Sequence, residues 1–197
     1  MIIIKHRQNT IKQLKELDIE YGAEIDIRSY KNKIVLSHDP FKESCKLIDW
    51  LKEFRHRFII FNIKEEGLEF ETFKLIKQFR IKDFFFLDQS FSFYIRNLER
   101  FGKNSSIRIS EFETIDRAVM LGKYTKWLWI DHFNKFPLSK KEIIKLNSLG
   151  FKFCIVSPEL ISRSNLSKKI YLIKNAFRNA KTSIDAVCTK NEKLWEE

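Results

Sequence analysis

The sequence predicts an α/β fold of repeated βα units, arranged as a (β/α)8 barrel or a doubly wound sheet. Three observations carry this. Short β-branched or aromatic segments alternate with helical periodicity from end to end. The runs Phe58-Ile-Ile-Phe, Phe84-Phe-Phe-Leu and Trp127-Leu-Trp-Ile are continuously apolar, as strands covered on both faces require. No composition shift, Ser/Gly linker, internal repeat or low-complexity stretch marks a boundary, so residues 1–197 read as one domain.

In chain order, strands are expected at 2–5, 23–28, 34–37, 58–63, 84–87, 106–109, 127–130, 151–156 and 186–188. Helical spacing lies between them. Ile11, Leu14 and Leu17 share one face, as do Leu47, Ile48, Leu51 and Phe54. Phe70, Phe73, Ile76 and Phe79 follow over 68–79. Ile143, Leu146 and Leu149 follow a Ser139 cap, and Ile170, Ile173 and Phe177 lie in 168–179. Strands 23–28 and 34–37 have only Ser-Tyr-Lys-Asn-Lys between them and read as a hairpin. Counted as one, that pair leaves eight β units.

Composition excludes several classes. Five Gly and three Pro rule out collagen-like and linker-rich chains. No apolar run approaches the roughly 18 residues of a transmembrane helix. The N-terminal Met-Ile-Ile-Ile is too short for a signal-peptide core, so a cytoplasmic location is expected. Cys45, Cys154 and Cys188 are odd in number and far apart, which predicts reduced thiols and no disulfide or zinc framework. Thirty-seven Lys and Arg against 26 Asp and Glu give a net charge of +11. The basic residues are scattered, so no stable nucleic-acid partner is expected. The phosphate-binding loops G-x-x-x-x-G-K-[ST] and G-x-G-x-x-G are missing, as are G-x-S-x-G, H-E-x-x-H and C-x-x-C.

In a parallel α/β barrel the site forms at the C-terminal ends of the strands. The first strand ends in Lys5-His6-Arg7, with Asn9 behind. Glu24, Asp26 and Arg28 alternate with Ile25 and Ile27, so the three share one face. Ser37-His38-Asp39 closes the hairpin, and Asn62 and Lys64 share a face. Asp88, Arg108, Asp131 and His132 end later strands; Asp88 is open between ligand, helix cap and arginine partner, and the roles of the other three stay open. Buried like charges need a partner. Glu24 and Asp26 suit a hard cation between them, Mg²⁺ or Ca²⁺, or else a salt-bridge network with Arg7, Arg28 and Lys64. His6 and His38 suit a base and an acid, and Arg7, Arg28 and Lys64 suit a phosphate. That combination describes phosphodiester cleavage.

These residues also carry a resemblance. His6-Arg7, Glu24-x-Asp26-x-Arg28, His38-Asp39 and Lys64 resemble the glycerophosphodiester phosphodiesterase family, within the phosphatidylinositol-phospholipase-C-like superfamily. The match is dense over residues 1–64, and Ile184-Asp-Ala-Val-Cys-Thr189 looks like the family's last strand. The resemblance implies a compact (β/α)8 barrel. It implies His6 and His38 as the general acid/base pair, Arg7 on the phosphate, Glu24 and Asp26 as metal ligands, and Lys64 on the developing charge. It implies a divalent metal and a small glycerophosphodiester-like or sugar-phosphodiester substrate.

Two departures stand out. Asn62 occupies the position where family members usually carry a third carboxylate ligand, so either metal affinity is lower or Asp88 or Glu65 contributes. Only residues 40–57 separate the His-Asp motif from the next strand, so the helical insertion subdomain of many members is missing. The expected function is a metal-dependent phosphodiester hydrolase. The alternative is a catalytically weak or inactive barrel that binds phosphate-bearing ligands.

Overall fold

Parallel strands that alternate with helices organise the computed structural model, in which residues 1–161 and 164–195 are described. The chain divides into two compact units. The first unit is Ile4–Asn97, and the second is Met1–Ile3 with Leu98–Glu197. The connectivity and strand order are those of a (β/α)8 barrel, with one antiparallel hairpin strand added.

The first unit holds the end of β1 (Ile2–Lys5), α1 (Ile11–Glu16), β2 (Gly22–Tyr30), β3 (Lys33–Leu36) and α2 (Leu47–Glu53). It continues through β4 (Phe58–Ile63), α3 (Glu69–Gln78), β5 (Phe84–Leu87) and α4 (Phe91–Arg96). Its parallel strands run in the order β5-β4-β2-β1. Register places Asp26 beside Asn62, which sets the polar residues of β2 and β4 at one level. Gly22 is needed where β2 squeezes between neighbours: a Cβ there would lie 2.9 Å from Phe58 O and 3.0 Å from Ile4 Cγ1. β3 pairs antiparallel with β2. Lys31 and Asn32 turn the hairpin with φ of 45° and 59°, the double left-handed conformation that a tight right-twisted hairpin requires.

The helices are fixed by local chemistry. Thr10 and Gln13 form a capping box at the start of α1. Periodicity predicts a helix over 44–54, but α2 begins only at Leu47. Residues 44–46 are drawn to the hairpin edge instead: Ser44 Oγ donates to Leu36 O, and Leu36 N donates to Cys45 O. Trp50 is fully buried, and its Nε1 donates to Gln8 O at 2.9 Å. That bond ties α2 to the loop after β1, where His6 and Arg7 sit. His56 is half-buried rather than solvent-exposed as a basic turn implies, with Nε2 3.0 Å from Leu17 O.

The second unit contains α5 (Leu98–Phe101), β6 (Ser106–Ile109), α6 (Asp116–Leu121), β7 (Trp127–Ile130), α7 (Lys140–Ser148), β8 (Lys152–Val156), α8 (Leu166–Asn179) and β9 (Ala186–Thr189). Its strands run β9-β8-β7-β6, and Ile2 N donates to Asp185 O beside β9. Ser139 and Glu142 form a second capping box at α7. Gly150, at φ 78°, ends α7 in a left-handed turn, with Phe151 N bonded to Leu146 O. Trp127 and Trp129 are packed, at 6% and 5% exposure, as their alternation predicts.

Glu159, after Ser157-Pro158, reads from the sequence as a helix cap, but it lies inside the short turn Pro158–Leu160, with Ser157 at the cap position. Its carboxylate accepts from the Ser157 and Thr189 hydroxyls and from Lys190 N. Glu111 accepts from the backbone N–H groups of Phe133, Asn134 and Lys135. Burial opposes its ionisation, but these three donors hold it down at about 2. Among the described residues, no helix is long and apolar enough to cross a membrane. Cys154 and Cys188 are buried and Cys45 is half-buried, all three as free thiols.

Candidate phosphate-binding site

The site lies within the first unit, at the C-terminal ends of β1, β2, β3 and β4. Alternation along β2 sends Glu24 and Asp26 inward, where each is 1% exposed. Arg7 follows β1 in a left-handed conformation, φ 55°, which a bulky residue adopts only under constraint. The constraint is visible: Arg7 N donates to Glu24 Oε2 at 2.7 Å, and Gln8 N to Glu24 O at 2.8 Å.

Both buried carboxylates are occupied by donors of this chain. Asn62 Nδ2 donates to Glu24 Oε1 at 2.8 Å. Asn9 Nδ2 donates to Asp26 Oδ2 at 2.8 Å, while Asp26 N donates back to Asn9 Oδ1 at 2.9 Å. Lys64 Nζ stands 3.5 Å from Asp26 Oδ1 and 3.6 Å from Asp88 Oδ2. Arg7 Nε is 3.9 Å from Asp26 Oδ2, too far for a hydrogen bond, and it is buried with no hydrogen-bond partner among the described residues. His6 Nε2 is 3.9 Å from Glu24 Oε2.

Burial pushes Glu24 up to about 7, and the neighbouring Asp26 charge adds to it. The Asn62 amide, the Arg7 N–H and Lys64 oppose that rise without cancelling it. Near neutral pH Glu24 therefore holds its proton more tightly than an ordinary carboxyl.

The remaining predicted residues lie further out. Arg28 Nε donates to His38 O at 3.0 Å and Arg28 Nη1 to Lys64 O at 3.3 Å, so its guanidinium braces two strand ends through backbone carbonyls. His38 is 44% exposed at the side chain, with Nδ1 3.0 Å from Asp39 Oδ1. Lys42 first, then His38, holds Asp39 at about 2. Glu65 is turned away onto Ser29, accepting from its N–H and its hydroxyl. Asp88 is left-handed, φ 58°, and Ser90 rather than Asp88 caps α4. Asn9 is the polar residue whose role sequence reasoning left unassigned. Its two-way bond to Asp26 spans 17 residues and leaves no linear motif.

Glu24, Asp26 and Asn62 offer oxygen donors of the hard kind that Mg²⁺ or Ca²⁺ takes. As arranged, Asn62 faces Glu24 with its NH₂, and its Oδ1 is buried without a hydrogen-bond partner among the described residues. Ligation by Asn62 would require the amide turned over, at the loss of the bond to Glu24. Among the described residues, no group of three or more His, Cys, Asp or Glu side chains is placed to hold a metal ion.

In the second unit, Asp131 accepts from Arg108 Nη1 and from Trp129 Nε1. His132 is 5% exposed, with Nε2 2.9 Å from Val156 O. Burial pushes its imidazole below the ordinary value.

The (β/α)8 barrel fold is shared with solved structures of other proteins. The glycerophosphodiester phosphodiesterase of Agrobacterium tumefaciens superposes with a TM-score of 0.65 at 12% identity, over 98% of this chain and 97% of that one. A glycerophosphoryl diester phosphodiesterase from Parabacteroides distasonis gives a TM-score of 0.54 at 12% identity, over 98% of this chain and 85% of that one. At such identities the likeness is one of fold. No family model matches the chain, and no curated protein is significantly similar to it.

Proposed function

We propose that the first unit's strand ends bind phosphate-bearing ligands in a phosphodiesterase-like barrel with weak or no hydrolysis. The observation that carries this reading is the Asn62 Nδ2 bond into Glu24 Oε1. It closes the carboxylate pair with the chain's own donor, where a third carboxylate would have called for a cation. The phosphate falls to Arg7, whose side chain is 41% exposed and whose Nε lacks a hydrogen-bond partner among the described residues. Lys64, 19% exposed between Asp26 and Asp88, supplies the second positive charge. His6 Nε2 lies 3.9 Å from Glu24 Oε2, and His38 is exposed.

A second reading, metal-dependent phosphodiester hydrolysis, is favoured by one observation: the buried, unpartnered Asn62 Oδ1. With the amide turned, Glu24, Asp26 and Asn62 would hold the ion, which supplies charge neutralisation at phosphoryl oxygens. His6 and His38 would then move the protons on either side of the ester.

Calorimetry with inorganic phosphate and glycerophosphocholine in EDTA separates the two, alongside hydrolysis of bis-p-nitrophenyl phosphate with Mg²⁺, Mn²⁺ or Ca²⁺. Binding in EDTA that weakens about tenfold or more in Arg7→Gln, with little turnover, supports the first. Metal-dependent turnover that disappears in His6→Ala and His38→Ala overturns it in favour of the second.

A further inference from the structure

The opposite end of the same unit carries a second concentration of positive charge. The turn before β4 and the turn before β5 face each other across a cavity of about 260 Å³. Arg55, Arg57, Arg80 and Lys82 line it, against one carboxylate, Asp83. Arg55 is spent on the end of α2, where its Nη1 donates to Lys52 O and Phe54 O. Among the described residues, Arg57, Arg80 and Lys82 have no ion-pair partner. Like charges gathered with a single carboxylate beside them raise the local potential and attract an anion.

Arg80 sharpens the case. It occupies the left-handed position just past α3, φ 56°, in a turn closed by Ile81 N bonded to Ile76 O. Glycine is the usual residue there. The chain bears an arginine at that position despite the backbone cost, and this residue lines the cavity.

We propose that this cavity binds a small oligophosphate anion, a pyrophosphate or triphosphate group, at a site separate from the one at the other end of the strands. Size decides against a bulky organic ligand: about 260 Å³ falls below the roughly 300–1,000 Å³ of drug-sized pockets. Of the two phenylalanines in the lining, Phe54 and Phe79, the first is not available to stack on a base. Phe54 is already stacked on Trp50 at 5.3 Å between ring centroids and packed on His56 at 5.5 Å. The guanidinium forks of Arg57 and Arg80 match paired phosphoryl oxygens, and Lys82 adds a point charge.

The full chain is titrated calorimetrically in low-salt EDTA buffer with pyrophosphate, tripolyphosphate, ADP, adenosine and a short single-stranded oligonucleotide. Each titration is repeated in an Arg7→Gln background, which weakens the other site, so that the cavity variants made in that background report on this one. Pyrophosphate is expected to bind in that background. Arg57→Gln and Lys82→Gln should each weaken it about tenfold or more. Arg80→Gly should weaken it likewise while the Tm stays equal or rises, because glycine suits the left-handed turn. ADP that binds while adenosine does not assigns the same anion to a nucleotide source. A flat isotherm in the Arg7→Gln background overturns the proposal, as does an affinity indifferent to the three cavity variants. Oligonucleotide binding without pyrophosphate binding also overturns it, in favour of a nucleic-acid surface. If the Arg7 reading fails instead, wild type and Arg7→Gln give the same isotherm and the cavity proposal stands.

Discussion

Glu24 offers a direct test, because its protonation is tied to folding. In the unfolded chain it ionises near the model-compound value of 4.5, and in the folded protein near 7. At roughly 1.4 kcal/mol per tenfold change in proton affinity, that gap is worth about 3 kcal/mol. The sign follows from proton binding. Below pH 4.5 the group is protonated in both states and its full contribution is present. As the pH climbs, the unfolded chain loses its proton first, and stability drains until the folded carboxyl ionises near 7. Glu24→Gln cannot titrate. The amide keeps an acceptor for Asn62 but turns an NH₂ toward Arg7 N, so absolute stability falls while the slope flattens. Tm is measured at pH 5 and pH 8 for both proteins in EDTA. At roughly 2–4 °C per kcal/mol for a chain of this size, wild type should lose about 5–10 °C more than the variant between those pH values. Glu69, raised by burial, acts with the same sign, and His132, lowered by burial, acts oppositely. Both are common to the two proteins and cancel in the comparison. Equal pH dependence in the two proteins would show that Glu24 ionises at its ordinary value, and the argument from burial beside Asp26 would fall.

Other substitutions probe the same architecture. Asn62→Asp replaces a buried amide-to-carboxylate bond by repulsion, costing about 1.5–3 kcal/mol in EDTA, and millimolar Ca²⁺ or Mn²⁺ should restore the Tm. A Tm unmoved by cations would remove residue 62 from any ligand position. Gly22→Ala drives a methyl to 2.9 Å from Phe58 O and should cost about 1–3 kcal/mol, read as a lower urea midpoint; an unchanged midpoint contradicts the crowding between β1 and β4. Glu111→Gln should speed amide exchange at Phe133, Asn134 and Lys135, since the wild-type carboxylate contributes above its ordinary value and is lost only as pH falls through about 2. Unaltered protection of those three amides at neutral pH would deny it that role.

The strands were legible because their residues leave little choice. Phe84–Leu87 and Trp127–Ile130 are apolar throughout, and the expected ends coincide with β5 and β7. α5 escaped detection because four residues are barely one turn, and α4 and α6 because their apolar residues run together at 93–95 and 118–121, whereas Ile11 and Leu14 keep helical spacing in the equally short α1. At the site, period-two alternation puts Glu24 and Asp26 on one face of β2, and both are buried, as Ile25 and Ile27 are on the other. Alternation fixes a Cβ direction and nothing beyond it. Which atom of Asn62 meets Glu24, and that the Arg28 fork reaches His38 O and Lys64 O, depend on strand ends brought together from 10 to 38 residues away.

The turns of this chain have a consequence for its unfolded form. Among the described residues, eight non-glycine positions take φ between 45° and 60°, including Lys31, Asn32, Arg80 and Lys181. Lys181 ends α8 in the same way that Arg80 ends α3, with Thr182 N bonded to Phe177 O. Each such position gives up about 1 kcal/mol of folded-state comfort relative to glycine. In exchange the denatured chain, with only five glycines in 197 residues, is stiffer and has less disorder to surrender on folding. Thermostabilising this barrel is therefore a question of which of those turns to relax one at a time, since a wholesale change to glycine would loosen the very ensemble that the present sequence keeps narrow.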